Sequence, residues 1–310
     1  MGEWLPGASV SMQVPASSAN LGPGFDSIGI ALGVWDRCRA TVLDSPGLEI
    51  SVRGEGAGAV PTDPSHLVHR SLAHAFADLG ESAPDGLRLE CDNAVPHGRG
   101  MGSSASAIVM GVALAHALLA ARDGREPGDI DLGTVNDLAA RLEGHPDNSS
   151  ASVHGGVTLS WSDDPEIGTT TLKLSPHPDV VPVVFTPDMQ LSTATARAVL
   201  PAQVRLADAA ANSARAALLI QALTDAPEFL LDGTRDWLHQ EPRRPSYAAS
   251  MALVDELRAA GHAAVISGAG PSVLVLARTA TAEAVAAAAR NGWRVLRPGI
   301  PDHGVSATAG

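Results

Sequence analysis

The sequence predicts an α+β protein made of two closely packed subdomains. Strand-like and helical segments alternate in both halves of the chain, and the composition shifts at a polar turn over residues 162–165. The 310 residues are 45% hydrophobic and only 3% aromatic, so we expect a large core built from Ala, Val, Leu and Ile. We therefore expect one subdomain over residues 1–163 and a second over residues 164–310.

The first half of the chain predicts five strands and three helices. Short stretches bounded by Gly, Pro, Asp or Ser predict strands at 9–14, 39–43, 48–52, 87–91 and 157–161. Apolar residues at helical spacing predict helices at 66–79, 103–121 and 134–142. Thr134 or Asn136 is a suitable N-cap for the third helix, because short polar side chains accept hydrogen bonds from the first turn of a helix.

The second half of the chain repeats this alternation with different lengths. Its β-favouring stretches predict strands at 172–174, 180–186, 265–267 and 272–277. Its helical stretches lie at 205–223, 248–260 and 280–289. A glycine-containing turn at 268–271 separates the last two predicted strands, and residues 298–310 are expected to form a polar tail.

Charge and cysteine content exclude several classes of protein. The net charge of −13 argues against nucleic acid or an acidic membrane as a partner, so an anionic substrate would need a local positive patch. Cys38 and Cys91 have no metal-ligand spacing, which predicts two free thiols in a reducing cytoplasm. Residues 1–10 lack the features of a signal peptide, and the apolar segment 105–121 is short for a membrane span. We expect a soluble, cytoplasmic protein.

Residues 95–106 carry the most informative motif, in which three glycines (98, 100 and 102) alternate with other residues before Ser103 and Ser104. Glycines let a backbone approach a ligand, and the first turn of the following helix offers unpaired N–H groups to an anion. The pattern favours a phosphate site, with a structural turn as the alternative. A Walker A loop would place a lysine after its last glycine, but the only lysine of the chain is Lys173.

Two further motifs combine carboxylates with amides. Asn20 and Asp26 lie in a loop of small residues over 15–26, which is either a turn-rich connection or a site for a small polar ligand. Glu143 and Asp147 lie in the segment Glu-Gly-His-Pro-Asp-Asn at the end of a predicted helix. There they are either capping groups or the oxygen ligand and orienting groups that Mg·ATP chemistry requires.

Two loops place arginines among polar residues, at 192–197 and 242–245. The planar guanidinium can bind a carboxylate or a phosphate through two parallel hydrogen bonds, although a loop arginine is often only solvated. A strand, a glycine turn and another strand over 266–272 would allow the backbone to approach a ligand or another loop closely.

These motifs, in this order, resemble those of the GHMP kinases. The matching segments are PASSANLGPGFDSIGIAL, VPHGRGMGSSASA, LEGHPDN and ISGAGPSVL, which together frame nearly the whole chain. The glycine-serine loop is common to that family, whereas ANLGPGFD and STATARAVLP resemble its homoserine kinases more specifically. The resemblance implies an N-terminal domain like the second domain of ribosomal protein S5 and a ferredoxin-like C-terminal domain, with both substrates between them.

The resemblance also implies the residues that bind ATP and Mg²⁺. The phosphates of ATP would lie on the loop and on the start of the next helix, at Pro96, His97, Gly98, Arg99, Gly100, Met101, Gly102, Ser103, Ser104, Ala105 and Ser106. The magnesium ligands would be Ser104 and Glu143.

By the same resemblance, L-homoserine would be the second substrate. Its implied binding residues are Asn20, Asp26, His145, Thr193, Arg197 and Arg244. Arg197 and Arg244 would bind the carboxylate, although a shift of one residue in the local register would select Arg243 instead. The expected assembly is a homodimer.

The implied reaction is the ATP-dependent phosphorylation of the homoserine side-chain hydroxyl. Asp147, Arg197 and Asn20 are the candidate catalytic residues. Asp147 matches a segment that carries a catalytic aspartate in some GHMP kinases, but a dedicated base is not required if the proton passes to phosphate oxygens. The alternatives are another GHMP kinase of the mevalonate or sugar type, and a non-catalytic sensor of nucleotide or amino acid.

Overall fold

Two β-sheets, one built mainly by each half of the chain, organise the protein. A computed structural model describes residues 3–163, 168–288 and 290–308. The first sheet contains seven strands. They are β1 (Ser9–Asn20), β2 (Gly24–Val42), β3 (Gly47–Gly54), β4 (Gly86–Asn93), β5 (Val157–Trp161), β6 (Thr170–Leu174) and β11 (Ser306–Ala307).

The strands of the first sheet run in the order β11-β1-β2-β4-β3, with β5 paired to β2 and β6 paired to β5. Four helices pack on this sheet. They are α1 (Leu67–Asp78), α2 (Ser103–Arg122), α3 (Leu132–Glu143) and α4 (Pro146–His154). The sheet recruits β6 and β11 from beyond residue 163, and the subdomain boundary expected at that residue stays a prediction.

The second sheet has four antiparallel strands in the order β10-β7-β9-β8. They are β7 (Val180–Pro187), β8 (Ala263–Ile266), β9 (Val273–Arg278) and β10 (Trp293–Leu296). The helices of this half are α5 (Thr193–Ala198), α6 (Leu206–Thr224), α7 (Leu230–Gly233), α8 (Gln240–Arg243), α9 (Ala248–Ala259) and α10 (Ala282–Ala287), with 3₁₀ turns at Pro227–Phe229 and Arg244–Tyr247.

The helix α2 is the centre of the N-terminal core. Among the described residues it is the one helix long and apolar enough to span a membrane by length and composition, with a mean hydropathy of 1.9, and 78% of that stretch is buried inside the protein. Gly111 lets α1 approach closely, because a Cβ there would lie 2.3 Å from the carbonyl oxygen of Val68. The helix begins directly after the glycine loop, and close packing around most of its length holds it in place.

Several elements differ from the sequence prediction. The N-cap of α3 is Asp131, whose carboxylate accepts a hydrogen bond from the N–H of Gly133, so the choice of Thr134 or Asn136 was wrong. The expected polar tail instead packs back: Val305 is buried, and Ser306–Ala307 form a strand beside β1. Parts of three predicted elements lie outside the described residues, at 164–165, 289 and 309–310.

The sequence prediction also missed α4, which begins immediately after α3. Gly144 adopts a left-handed conformation with φ of 86° and ends α3. Pro146 then occupies the first turn of α4, where its missing N–H costs nothing. This tight helix-to-helix turn carries the Glu-Gly-His-Pro-Asp-Asn segment from α3 into α4, which packs against β1, β2 and β5.

Replacing a core side chain of the first sheet should destabilise the protein without touching the candidate site. Leu89 on β4 is fully buried, so Leu89→Ala should lower the free energy of unfolding by about 2–5 kcal/mol through lost burial and a residual cavity. The matched control is Leu206→Ala, because Leu206 is 87% exposed. Urea titration monitored by circular dichroism measures both, and equal losses would contradict the assignment of this core.

Candidate active site

A cleft of about 180 Å³ lies where the glycine loop meets the α3–α4 turn, α5 and the β8–β9 turn. It combines backbone amides with both signs of charge. The residues that line it are Asn20, Gly98, Gly100, Gly102, Ser103, Ser104, Glu143, His145, Asp147, Asn148, Leu191, Ser192, Thr193, Arg197, Arg243, Gly268, Ala269 and Gly270.

The glycines of the loop are required by their conformation and by close neighbours. Gly98, Gly100 and Gly102 have φ angles of 63°, 73° and 71°, in the left-handed region that disfavours other residues. A Cβ on Gly100 would lie 2.2 Å from the carbonyl oxygen of Ser267, and one on Gly102 would lie 2.2 Å from the Ser17 hydroxyl. The loop can follow this path only with glycine at these positions.

The start of α2 presents free hydrogen-bond donors to the cleft. Gly102 is the N-cap and has no side chain to accept from the first turn, so no side-chain cap in the described part of the chain satisfies these N–H groups, which begin the helix at the cleft lining. The partial positive charge of the helix N-terminus adds to them. Ser103 and Ser104 contribute hydroxyl groups at the same place. This arrangement can bind a phosphate through the backbone and hydroxyls without a lysine.

Other residues of the loop hold it in place. Arg99 donates from Nε to the carbonyl oxygen of Pro187 (2.9 Å), so this charge ties the loop to the end of β7. Ser106 is fully buried and donates to the carboxylate of Asp36 at 2.8 Å. Met101 is also fully buried. The cleft lining contains none of Arg99, Met101 and Ser106, and it also lacks Pro96, His97 and Ala105, which were expected at the phosphate site. Pro96 and Ala105 are buried.

Ser104 and Glu143 form the one candidate metal site that the sequence predicted. The Ser104 hydroxyl donates to Oε2 of Glu143 at 3.0 Å, directly beside the loop. Burial raises the pKa of Glu143, while the nearby His145 and the Ser104 hydroxyl oppose that shift. Among the described residues, no cluster of three or more His, Cys, Asp or Glu side chains could hold a metal.

His145 and Asp147 form a hydrogen-bonded pair at the start of α4, in which Asp147 is buried and His145 is partly exposed. The His145 Nδ1 lies 2.9 Å from Oδ1 of Asp147, and the same oxygen accepts from the backbone N–H of Asn148 at 2.8 Å. Burial alone would lower the pKa of His145, but the hydrogen bond and charge of Asp147 and the charge of Glu143 outweigh it and raise that pKa.

The sequence predicted a loop over residues 15–26, but β1 runs to Asn20 and β2 begins at Gly24, so only a short turn separates them. This turn and the strand ends beside it carry strained backbone at the cleft. Asn20, Leu21 and Asp26 have positive φ angles of 68°, 48° and 57°, which is costly for residues with side chains. Asn20 stabilises the turn by accepting from the N–H of Asp26 and donating to the carbonyl oxygen of Gly268, both at 3.0 Å. The β1–β2 turn is thereby fastened to the β8–β9 turn of the other sheet.

Arg197, which lines the cleft, forms an ion pair with Asp26. Both terminal nitrogens of Arg197 donate to the two carboxylate oxygens of Asp26, which raises the pKa of Arg197. The guanidinium of Arg197 also lies 5.6 Å from the ring centroid of Phe25. Thr193 lies at the start of the same helix and lines the cleft.

The structure does not bring Arg244 to the cleft. Arg244 donates to Glu241 and Asp255 on the protein surface, and that pairing raises its pKa. Arg243 lines the cleft instead, with a guanidinium that is buried and 5.7 Å from the ring of Phe25. Of the two arginines between which the sequence did not decide, Arg243 is the one that lines the cleft.

Two family models match the chain. The model described as the GHMP kinases N terminal domain matches residues 66–156, and the one described as GHMP kinases C terminal matches residues 210–295. The chain belongs to the GHMP kinase family.

Relatives of this GHMP kinase are similar over almost their whole length. The homoserine kinase of Streptomyces avermitilis is 48% identical over 299 residues, covering 96% of this chain and 95% of that protein. The homoserine kinase of Streptomyces coelicolor is 47% identical over 299 residues, covering 96% and 94%. The crystal structure of homoserine kinase from Cytophaga hutchinsonii has a TM-score of 0.84 at 24% identity, covering 97% of both chains. The expected two-domain GHMP kinase fold is confirmed.

This GHMP kinase has a second cavity, of about 290 Å³, which the sequence analysis missed. Ser103 and Ser104 line both cavities, so the second opens next to the phosphate loop. Cys38 and Cys91 line it as buried free thiols whose sulfur atoms lie 3.4 Å apart. His66 contributes a buried Nδ1 without a hydrogen-bond partner in the described part of the chain. Its residues come from separate elements, so no contiguous motif identifies it.

The coupling between His145 and Asp147 is testable by titration. In Asp147→Asn the hydrogen-bonded charge is lost and burial dominates, so the pKa of His145 should fall from above to below the ordinary value of about 6.5. NMR of the histidine ring resonances against pH measures the midpoint, with the exposed His74 as an internal reference. An unchanged His145 midpoint would show that Asp147 does not control its protonation.

Proposed function

We propose that this protein transfers the γ-phosphoryl group of ATP to the side-chain hydroxyl of L-homoserine, forming O-phospho-L-homoserine. One observation carries the proposal: a single cleft joins a lysine-free phosphate loop to a buried arginine that has no carboxylate partner among the described residues and suits a substrate carboxylate. The identity of 48% to a homoserine kinase over nearly the whole chain supports the same substrate.

ATP would extend across both cavities. Its phosphates would accept hydrogen bonds from the amides at the start of α2 and from Ser103 and Ser104. Its adenosine would enter the adjoining cavity of about 290 Å³. That cavity is lined by apolar side chains, among them Leu67 and Met110, and by polar ones that include Asp36, Arg37, His66 and Asn93. The shared serines support this placement, because they join the two cavities at the phosphate loop.

The donors beside the phosphate loop fit Mg²⁺. This ion prefers hard oxygen ligands and commonly uses one or two protein groups with substrate phosphates and water. Ser104 and Glu143 offer such oxygens 3.0 Å apart, and the buried Glu143 carboxylate has no basic partner within ion-pair distance among the described residues. These two residues would hold Mg²⁺, which when bound neutralises negative charge on the phosphates of ATP.

L-Homoserine would occupy the part of the cleft between α5, α8 and the β1–β2 turn. Its carboxylate would bind Arg243, and Arg197 lies nearby in the same cleft, against the same Phe25 ring. The side-chain oxygens of Asn20, Asp26 and Thr193 would surround its ammonium group. The strained conformation of Asn20 and Asp26 supports this role, because backbone strain of this kind clusters at binding sites.

Catalysis would depend on positioning and on electrostatic stabilisation. Phosphoryl transfer passes through a loose transition state, so fixed amide donors at the start of α2 would supply much of the effect. Asp147 is 1% exposed and already hydrogen-bonded to His145, so the pair would orient the substrate hydroxyl from one side of the cleft. Cytoplasmic location and a homodimeric assembly stay predictions.

ADP release tests the reaction directly. With Mg·ATP, we expect release that depends on L-homoserine, and neither mevalonate nor simple sugars should replace it. Arg243→Lys should raise the KM for homoserine about 10-fold or more, because lysine cannot form paired hydrogen bonds to a carboxylate. Arg244→Lys is the matched control and should change it little. ATP binding without release for any alcohol would favour a sensor.

Asp147→Asn tests the catalytic assignment. If Asp147 accepts the proton of the hydroxyl, the substitution should lower kcat by roughly 10²-fold or more with little change in either KM. Steady-state kinetics at several pH values measure this effect. A kcat equal to that of the wild type would remove Asp147 from the reaction and favour direct transfer of the proton to phosphate.

A further inference from the structure

His239 is a fully buried histidine directly behind Arg243 that the proposed mechanism does not use. Its ring is stacked on Phe25, with centroids 5.3 Å apart and planes inclined by 29°. Its Nδ1 lies 3.1 Å from a terminal nitrogen of Arg243, and its Nε2 lies 2.8 Å from the carbonyl oxygen of Gly22. The ring therefore contacts both the candidate carboxylate-binding residue and the turn between β1 and β2.

These contacts determine the protonation state of the ring. A guanidinium only donates hydrogen bonds, so Nδ1 must accept and carries no proton. A carbonyl oxygen only accepts, so Nε2 carries the proton and donates to Gly22. Burial lowers the pKa of His239, which agrees with a neutral ring, although the charge of Asp236 opposes that shift.

The backbone around His239 is held by Asp236, whose Oδ1 also lies 3.7 Å from Nε2 of the ring. The carboxylate of Asp236 accepts hydrogen bonds from the N–H groups of Leu238, His239 and Gln240 at 3.0, 3.0 and 2.8 Å. The guanidinium of Arg243 has a second anchor, since its Nε donates to the carbonyl oxygen of Ala196 at 2.9 Å. The ring and the guanidinium are therefore both restricted to one orientation.

We propose that His239 is a positioning residue that holds the Arg243 guanidinium toward the substrate carboxylate without neutralising its charge. This inference rests on the proposed function. Two neighbouring arginines show the contrast: Arg197 is paired with Asp26, and Arg244 with Glu241. Arg243 has only neutral hydrogen-bond acceptors among the described residues, so its charge remains available for the carboxylate of the substrate.

Two substitutions at His239 separate its two hydrogen bonds. The amide oxygen of His239→Asn can replace Nδ1 and accept from Arg243, whereas the amide nitrogen of His239→Gln can replace Nε2 and donate to Gly22. We expect His239→Gln to raise the KM for homoserine about 10-fold, because it removes the acceptor of one charge-assisted hydrogen bond from Arg243. His239→Asn should raise it less, and the KM for ATP should stay near the wild-type value in both.

Steady-state kinetics with both substrates, together with thermal unfolding of each variant, provide the readout. Equal increases for the two variants, or a parallel rise in the KM for ATP, would overturn the positioning role. In an Arg243→Lys background the added effect of His239→Gln should disappear, and full additivity would also overturn it. A wild-type enzyme inactive on homoserine would instead refute the proposed function.

The wild-type protein offers a test that needs no substitution. NMR of ¹⁵N-labelled histidine distinguishes a protonated from an unprotonated ring nitrogen. His239 should show a protonated Nε2 and an unprotonated Nδ1 around neutral pH. A proton on Nδ1 would overturn the proposal even if the variants fail to fold, because Arg243 could not then donate to it.

Discussion

The hydroxyl of Ser267 joins the parts on which the cleft depends. It donates to the carbonyl oxygen of Gly100 at 2.6 Å and lies 2.8 Å from the hydroxyl of Ser18, so one buried group connects the β8–β9 turn, the phosphate loop and β1. The N–H of Gly268 adds a bond to Ala19 at 3.2 Å. The approach is so close that no Cβ fits on Gly100, and the two sheets meet at a defined distance.

Charge is distributed unevenly within this acidic protein. The chain has a net charge of −13, yet its cleft contains the helix N-terminus, Arg197 and Arg243. Asp26 already neutralises Arg197, whereas the acceptors of Arg243 are neutral. Keeping that charge buried is unfavourable, as its lowered pKa indicates, and the binding of an anion would relieve the cost. This local arrangement, rather than the overall charge, would select the carboxylate of an amino-acid substrate.

Much of the site could be predicted from sequence because its motifs are contiguous. The alternating glycines indicated a phosphate loop, and the structure shows that Gly100 and Gly102 allow no side chain. Glu143 was expected beside Ser104, and the two are hydrogen-bonded at the cleft. Arg99 could not be interpreted from the motif alone. The motif suggested a residue that binds phosphate, whereas in the structure its side chain donates a hydrogen bond that fastens the loop to β7. The second cavity was missed since its residues are scattered along the chain.

The sequence by itself determined which backbone could bind phosphate and which family the motifs resemble, because those properties depend on residues close together along the chain. Only the tertiary structure decided between Arg243 and Arg244. Successive residues of a helix point about 100° apart, so one arginine faces the cleft and its neighbour faces solvent. The same is true of His239, whose partners Gly22 and Arg243 come from opposite halves of the chain. Contacts of that range depend on how the two sheets pack, and no local pattern encodes them.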